Sequence, residues 1–282
     1  MRTAGSPHDL LELAVATARE AGELVSSMRS SGVDVADTKT SAVDIVTEAD
    51  RACEELILQR VLRARPDDGF LGEEGDDVTG TSGVTWVVDP IDGTVNYLYG
   101  LPHYAVSIAA SRADGQILAG VVRSPDLDVE YAATLGGGAT RNGVPLRVPD
   151  HVSGHVPGHV SGTPPLAQTL VATGFSYEAA IRERQGLAVA RMLPQVRDIR
   201  RLGSCALDLC AVAAGHCDAY VEEGAHLWDY AAGGLVATEA GATFEVWNTI
   251  DDRDLLVCAP ASGWADFSAL VTACGFLGEV PE

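Results

Sequence analysis

A packed apolar run that stops on acid constrains this chain more than any other feature. Thr85-Trp86-Val87-Val88 reads as a short buried strand, and it passes directly into Asp89-Pro90-Ile91-Asp92-Gly93-Thr94. Pro90 has a fixed φ and no N–H, so the strand is expected to end at Asp89-Pro90 and the backbone to turn there. That turn aims Asp89 and Asp92 into one cavity. Gly93-Thr94 then has the character of a helix start, whose free N–H groups can hold a phosphate. Two further segments put acid where apolar packing stops: Phe70-Leu71-Gly72-Glu73-Glu74-Gly75 and Leu227-Trp228-Asp229-Tyr230-Ala231-Ala232-Gly233. Singly, Asp229 is an ordinary acid at the positive end of a helix, Asp92-Gly93 a turn, and Glu73 a loop acid. Recurring in one chain, they predict carboxylates that converge.

Convergence has a physical consequence. Two carboxylates ~4 Å apart repel by ~4 kcal/mol at an effective dielectric of ~20, so a cluster needs cations or strongly raised pKa values. Hard oxygen donors with no His or Cys among them select Mg²⁺ or Mn²⁺ over Zn²⁺. Cations beside an anion-holding turn are the arrangement that metal-assisted phosphoryl transfer requires.

The rest of the chain reads as two α/β parts joined by a linker. Leu10, Ala14, Thr17, Ala18, Ala21, Leu24, Val25 and Met28 recur at helical spacing, after a capped start at Ser6-Pro7-His8-Asp9. A second helix is predicted from Glu48 to about Arg63, before Pro66. Strands follow at 104–111, 117–123 and 129–135, and Asn142-Gly143 marks a type I′ hairpin. Two helices and a largely antiparallel sheet thus make an N-terminal α+β part, residues 1–150. The stretch HVSGHVPGHVSGTPP (151–165) is a threefold tetrapeptide repeat and reads as a linker. Its His151, His155 and His159 are four apart, but Gly and Pro preclude the helix that would align their rings. In residues 166–282, strands at 170–175, 219–221, 243–247 and 255–258 alternate with helices at 178–193, 205–214 and 230–240, an α/β pattern.

Charge and composition exclude several classes. With 40 acidic residues against 19 basic ones among 282, the net charge is −21. Such a field repels nucleic acid and anionic membrane, and no basic stripe offsets it. No run approaches the ~18 apolar residues of a membrane span. MRTAGSPHDLL has no apolar core before a cleavage site, so a cytoplasmic protein is expected. Six cysteines without any C-x-x-C read as small buried hydrophobes rather than a disulfide or zinc framework.

The motifs GEE (72–74), DPIDGTVN (89–96) and WDYAAG (228–233), with the lead-in KTSAVDIVTEAD (39–50), resemble the signatures of the inositol monophosphatase family, which are lithium-sensitive, magnesium-dependent phosphatases. The matching segments run in order from about Lys39 to Ala242. The resemblance implies a layered αβαβα sandwich with the site between its two parts. It implies two to three Mg²⁺ ions, with Mn²⁺ a possible substitute. Glu73, Asp89 and the Ile91 carbonyl would bind the first, and Asp89, Asp92 and Asp229 the second. A weaker third would use Glu73. Asp50 and Thr94 would together deprotonate the attacking water, with Glu73 helping to position it, and the Gly93 and Thr94 N–H groups would hold the phosphate. Glu222, seven residues before Asp229, matches an acid that contacts a substrate hydroxyl, and Gly203, Ser204 and Cys205 match the stretch lining the alcohol side.

The resemblance therefore leads us to expect a Mg²⁺-dependent phosphomonoesterase, acting on myo-inositol 1-phosphate or a similar polyol phosphate and homodimeric. Cys205 stands where inositol-active relatives carry a small apolar residue, which leaves the alcohol pocket open. Histidinol phosphate, fructose 1,6-bisphosphate and 3′-phosphoadenosine nucleotides are the alternative substrates. A regulatory binding protein on the same scaffold is the alternative from another class.

Overall fold

Capping boxes start both of the first two long helices. In α1 (Pro7–Ser31) the Ser6 hydroxyl accepts the Asp9 N–H and the Asp9 carboxylate accepts the Ser6 N–H; Thr47 and Asp50 do the same for α2 (Glu48–Ala64). Each box satisfies two N–H groups that a helix start otherwise leaves bare, an effect of about 1 kcal/mol. The computed structural model describes residues 5–32, 35–38, 45–75, 77–148 and 165–278; the linker repeat 151–162 lies outside them.

Ahead of α2 the strands β1 (Val35–Thr38) and β2 (Ile45–Thr47) pair antiparallel. Behind it comes a seven-stranded sheet whose spatial order follows the chain: β3 (Gly69–Gly72), β4 (Val84–Asp92), β5 (Ala105–Arg112), β6 (Ile117–Ser124), β7 (Val129–Thr134), β8 (Gly138–Arg141) and β9 (Val144–Leu146). Only β3 and β4 run parallel. A short helix, α3 (Thr94–Leu98), leaves the end of β4. In the β8–β9 turn both Asn142 (φ 50°) and Gly143 (φ 75°) are left-handed, as a type I′ turn demands.

The second sheet is ordered β11-β10-β12-β14-β13, from β10 (Leu170–Thr173), β11 (Asp198–Arg200), β12 (Ala219–Glu223), β13 (Ala242–Asn248) and β14 (Asp254–Pro260). Its helices are α4 (Ala179–Met192), α5 (Cys205–Ala213), α6 (Leu227–Ala240) and α7 (Trp264–Cys274). α1 and α2 cover one face of the large sheet, α5 and α6 fill the space between the sheets, and α4 and α7 cover the far face of the small one. The result is an αβαβα sandwich. Side-chain alternation shows the layering. On β4, Trp86 and Val88 face α1 and α2 while Val87 faces α5 and α6; on β14, Leu256 and Cys258 face α5 while Leu255 and Val257 face α7. Burial on both faces is why these strands read as unbroken apolar runs. All six cysteines are buried and unpaired, as expected of thiols used as small hydrophobes.

The structure corrects the sequence reading in four places. β4 does not stop at Asp89-Pro90 but runs on to Asp92, with its register against β5 shifted between Asp89 and Asp92. The parallel neighbour β3 ends opposite Val88, so the missing Pro90 N–H costs no ladder bond on that side, and the irregularity absorbs the proline. α6 begins at Leu227, three residues before the expected Tyr230. α7 was not foreseen, although its buried residues Phe267, Leu270, Val271 and Cys274 recur at helical spacing, because the small exposed residues Ala265, Ala269 and Ala273 leave only a weak polar stripe. Nor were β1, β2 and β11, each three or four residues long and without room for a visible period. No helix among the described residues is long and apolar enough to cross a membrane.

Candidate active site

Four separate segments deliver the acids expected from the sequence to one cavity of 730 Å³ between the sheets, where Glu178, Asp252 and Asp254 also lie on the wall. The segment after β3 supplies Glu73, the end of β4 supplies Asp89 and Asp92, the first turn of α6 supplies Asp229, and β12 supplies Glu222. Ile91, Gly93, Thr94, Gly203 and Cys205 line the same cavity. Asp50 and Ser204 stand just behind the wall, bonded to lining residues. The tertiary structure therefore brings together every site residue expected from the sequence.

Asp89, Asp92, Asp229 and Glu222 each accept one or more backbone or hydroxyl donors. Asp89 Oδ1 accepts the Ile91 N–H at 2.9 Å, closing a turn around Pro90. Asp92 reaches across to the start of α5, where Ser204 Oγ (2.5 Å), the Ala206 N–H (2.7 Å) and the Cys205 N–H (3.2 Å) donate to it. Asp92 thus links the two halves of the molecule. Asp229 Oδ2 accepts the His226 N–H at 2.6 Å. The Tyr220 hydroxyl donates to Glu222 Oε2 at 2.7 Å. Gly93, at φ 96°, must be glycine twice over, because a Cβ there would stand 2.9 Å from the Gly203 carbonyl and 3.0 Å from that of His103.

Thr94 and Asp50 form a second, drier unit. Asp50 Oδ2 accepts both the N–H (2.7 Å) and the hydroxyl (2.5 Å) of Thr47, leaving Oδ1 to face Thr94 Oγ1 at 3.2 Å. The Thr94 hydroxyl also lies 3.1 Å from the Ile91 carbonyl. One proton serves one acceptor at a time, so any group that occupies Ile91 O turns Thr94 toward Asp50.

Burial and crowding push these acids up. Burial, assisted by the charge on Glu73, raises Asp50 to about 6, although the Thr47 and Thr94 bonds pull it back. Burial raises Asp92 to about 7 against the pull of Ser204 and the α5 amides. Asp89 and Asp229 lie well above the carboxylate range, first through burial and next through Glu73. Cys205 is also pushed up by burial, then by Glu222 and Asp92, so it meets the cavity as a neutral thiol. Among the described residues, no three His, Cys, Asp or Glu side chains already stand arranged to close around one metal ion. The donor chemistry nevertheless fits a hard divalent cation. Carboxylates and a peptide carbonyl, mutually repelling and shielded from water, are stabilised by the charge such an ion brings.

A model of the inositol monophosphatase family matches residues 6–263. The chain belongs to that family. The family is one of phosphatases acting on small phosphate esters and generally uses divalent metal ions. The inositol-1-monophosphatase SuhB of Mycobacterium tuberculosis (strain H37Rv) is 42% identical over 247 residues, 86% of this chain and 78% of the relative. The Nus factor SuhB of Escherichia coli K12 is 37% identical, over 83% of this chain and 84% of the relative. Among solved structures, Mycobacterium tuberculosis SuhB superposes with a TM-score of 0.80 at 37% identity, over 97% of this chain and 99% of that one.

Several supporting residues escaped the sequence reading. The Asn96 amide donates to the carbonyls of His103 (2.6 Å) and Leu202 (2.7 Å), pinning the 201–204 segment against α3. Arg201, Phe175, Tyr177 and His226 shape the open side of the cavity. Only fold closure brings these together, and no local pattern marks them. Glu54 is different: it lies one helical turn past Asp50, a spacing visible in the sequence.

Proposed function

We propose that this protein hydrolyses a phosphate monoester with the help of Mg²⁺, releasing inorganic phosphate, and that myo-inositol 1-phosphate is its preferred substrate class. The observation that carries the reading is the meeting of Glu73, Asp89, Asp92 and Asp229, from three segments, beside the Asp50–Thr94 pair. Glu73, Asp89 and the Ile91 carbonyl would hold one cation, and Asp89, Asp92 and Asp229 a second. A weaker third would draw on Glu73. Bound there, the cations neutralise the phosphate dianion and make water more acidic.

The chain's own groups do the rest. The Gly93 and Thr94 N–H groups face the phosphate oxygens. Thr94 takes a proton from the attacking water as it hands its own to Asp50 Oδ1, so a poor base acts through a better one. Glu222, steadied by Tyr220, accepts from a hydroxyl of the alcohol, and Gly203, Ser204 and Cys205 border that side. A polyol fits these acceptors better than an apolar alcohol, because a hydroxyl-free ligand would desolvate the Glu222 carboxylate without adding a donor to the Tyr220 hydroxyl it already has. A homodimer in the cytoplasm is the working form we infer, by family likeness.

The Nus factor name of the Escherichia coli relative favours one second reading, a regulatory protein that binds macromolecules through this scaffold. Phosphate release separates the readings. It is measured with Mg²⁺ and with EDTA on inositol 1-phosphate, histidinol phosphate, fructose 1,6-bisphosphate and 3′-phosphoadenosine 5′-phosphate. Mg²⁺-dependent turnover led by inositol 1-phosphate is expected. Turnover led by another ester keeps the metal chemistry and removes the role given to Glu222. No turnover on any of the four leaves the regulatory reading standing.

A further inference from the structure

The segment bearing Glu73 is gripped from behind by a side chain that none of the steps above uses. Glu54 is 6% exposed and sits on α2 four residues after Asp50, so the two carboxylates share one helix face. Glu54 Oε2 accepts the Glu74 N–H at 2.9 Å, and the N–H groups of Gly75 and Glu73 bond to the same carboxylate. Three successive N–H groups turned toward one point form a concave nest of the kind that captures anions. Here the captured anion is the chain's own Glu54. The glycines that frame the segment have the same cause. A Cβ on Gly72 would overlap the Glu54 carboxylate, and one on Gly75 would stand 2.7 Å from Oε1.

The same face of α2 reaches the other acidic segment as well. The Cys53 thiol donates to the Pro90 carbonyl at 3.3 Å, between Asp89 and Ile91, while Asp50 engages Thr94. One rigid helix therefore touches both segments whose carboxylates meet in the cavity, and Glu54 is the carboxylate by which it holds the backbone of the Glu73 side.

We propose that Glu54 is a positioning residue for the metal centre: by clamping the amides of 73–75 it sets the Glu73 carboxylate in register with Asp89. The inference rests on Glu73 being a metal ligand. Without the clamp, a glycine-flanked segment would have to be ordered by the ion itself, at a cost in binding. Groups that orient metal ligands in this way are typically worth about 10- to 100-fold in affinity.

The test uses the full chain and the metal alone. Mn²⁺ binding is followed by electron paramagnetic resonance without substrate, alongside hydrogen exchange at the 73–75 amides and the Mg²⁺ dependence of phosphate release. Glu54→Gln keeps the shape but turns an NH₂ group toward the nest. It is expected to weaken Mn²⁺ roughly 10- to 100-fold and speed exchange at 73–75 but not in β5–β7, with kcat largely recovered at high Mg²⁺. Gly72→Ala, which presses on the clamp from the segment's side, should give the same pattern if Glu54→Gln folds poorly. Glu55→Gln, on the exposed neighbour, should change nothing. Wild-type Mn²⁺ affinity in a folded Glu54→Gln or Gly72→Ala protein overturns the proposal, as does a loss of kcat that Mg²⁺ does not restore. Glu73→Gln is the separate check on the parent reading. If it binds Mn²⁺ as the wild type does, the metal assignment has failed, and the clamp's catalytic role fails with it.

Discussion

The start of α2 and the start of α6 carry the same local device and put it to different uses. In each, an aspartate at the third helical position accepts the N–H of the residue before the helix: Asp50 from Thr47 at 2.7 Å, Asp229 from His226 at 2.6 Å. The start of α1 repeats it a third time, with Asp9 accepting the Ser6 N–H at 3.1 Å. Asp9 is exposed and does nothing further. Asp50 is fully buried, and its second oxygen faces Thr94. Asp229 borders the cavity, where the charges of Glu73 and Asp92 press on it. A capping aspartate uses one oxygen for the helix and keeps the other for whatever the fold brings near. That second oxygen decides whether the residue is a cap, a proton acceptor or a metal ligand.

This comparison can be broken by substitution. The largest effect is expected for Asp229→Asn, which still offers an oxygen to the His226 N–H but removes a ligand charge. Turnover should fall by about 10³-fold or more, with little change in melting temperature. Activity within tenfold of wild type would remove Asp229 from the site. Asp50→Asn and Thr94→Ala should each lower kcat about 10²- to 10³-fold while Mn²⁺ binding survives. Loss of Mn²⁺ binding in Thr94→Ala would make that hydroxyl structural.

Smaller effects test stability. Asp208 is buried on α5, one of its oxygens has no hydrogen-bond partner, and burial holds its pKa well above the usual range. An acid with a raised folded-state pKa contributes most below its unfolded pKa and loses that contribution as pH rises through the folded value. Asp208→Asn should therefore stabilise the protein by about 1–3 kcal/mol near pH 8 and by much less near pH 4. Thermal melts at the two pH values check the sign, and an equal gain at both would refute the assignment. The smallest effect is expected for Asp9→Ala, a loss of about 1 kcal/mol with kcat unchanged. A change in kcat there would mean that the α1 cap is more than a cap.

Much of the site was legible because its chemistry is written in contiguous words. Val87-Val88-Asp89-Pro90-Ile91-Asp92 carries an apolar strand, a break and two acids within six residues, and that sufficed to expect a cavity edge. Helix α1 was legible through its period and cap, and α2 through its stop before Pro66. The path of β4 past Pro90 was not, because whether a proline ends a strand depends on which neighbour would have used its N–H. The grip of Ser204, Cys205 and Ala206 on Asp92 was equally hidden, since it joins residues more than a hundred positions apart. α7 escaped because its exposed face is largely alanine, which blurs the contrast with the buried Phe267, Leu270, Val271 and Cys274.

Which residues could do the chemistry is written along the chain: hard oxygen donors at the ends of packed strands, caps at the helix starts, and glycines where no Cβ fits. These depend on properties of a residue and its few neighbours in sequence. What those residues do is settled by their surroundings in space. The capping hydrogen bond does not distinguish Asp9, Asp50 and Asp229. Burial behind Thr94 raises Asp50 to about 6, burial and the charge of Glu73 raise Asp229, and Asp9, out in solvent, is a plain cap. Desolvation and Coulomb repulsion act through space, so the role of a carboxylate is set by what the fold places around its free oxygen.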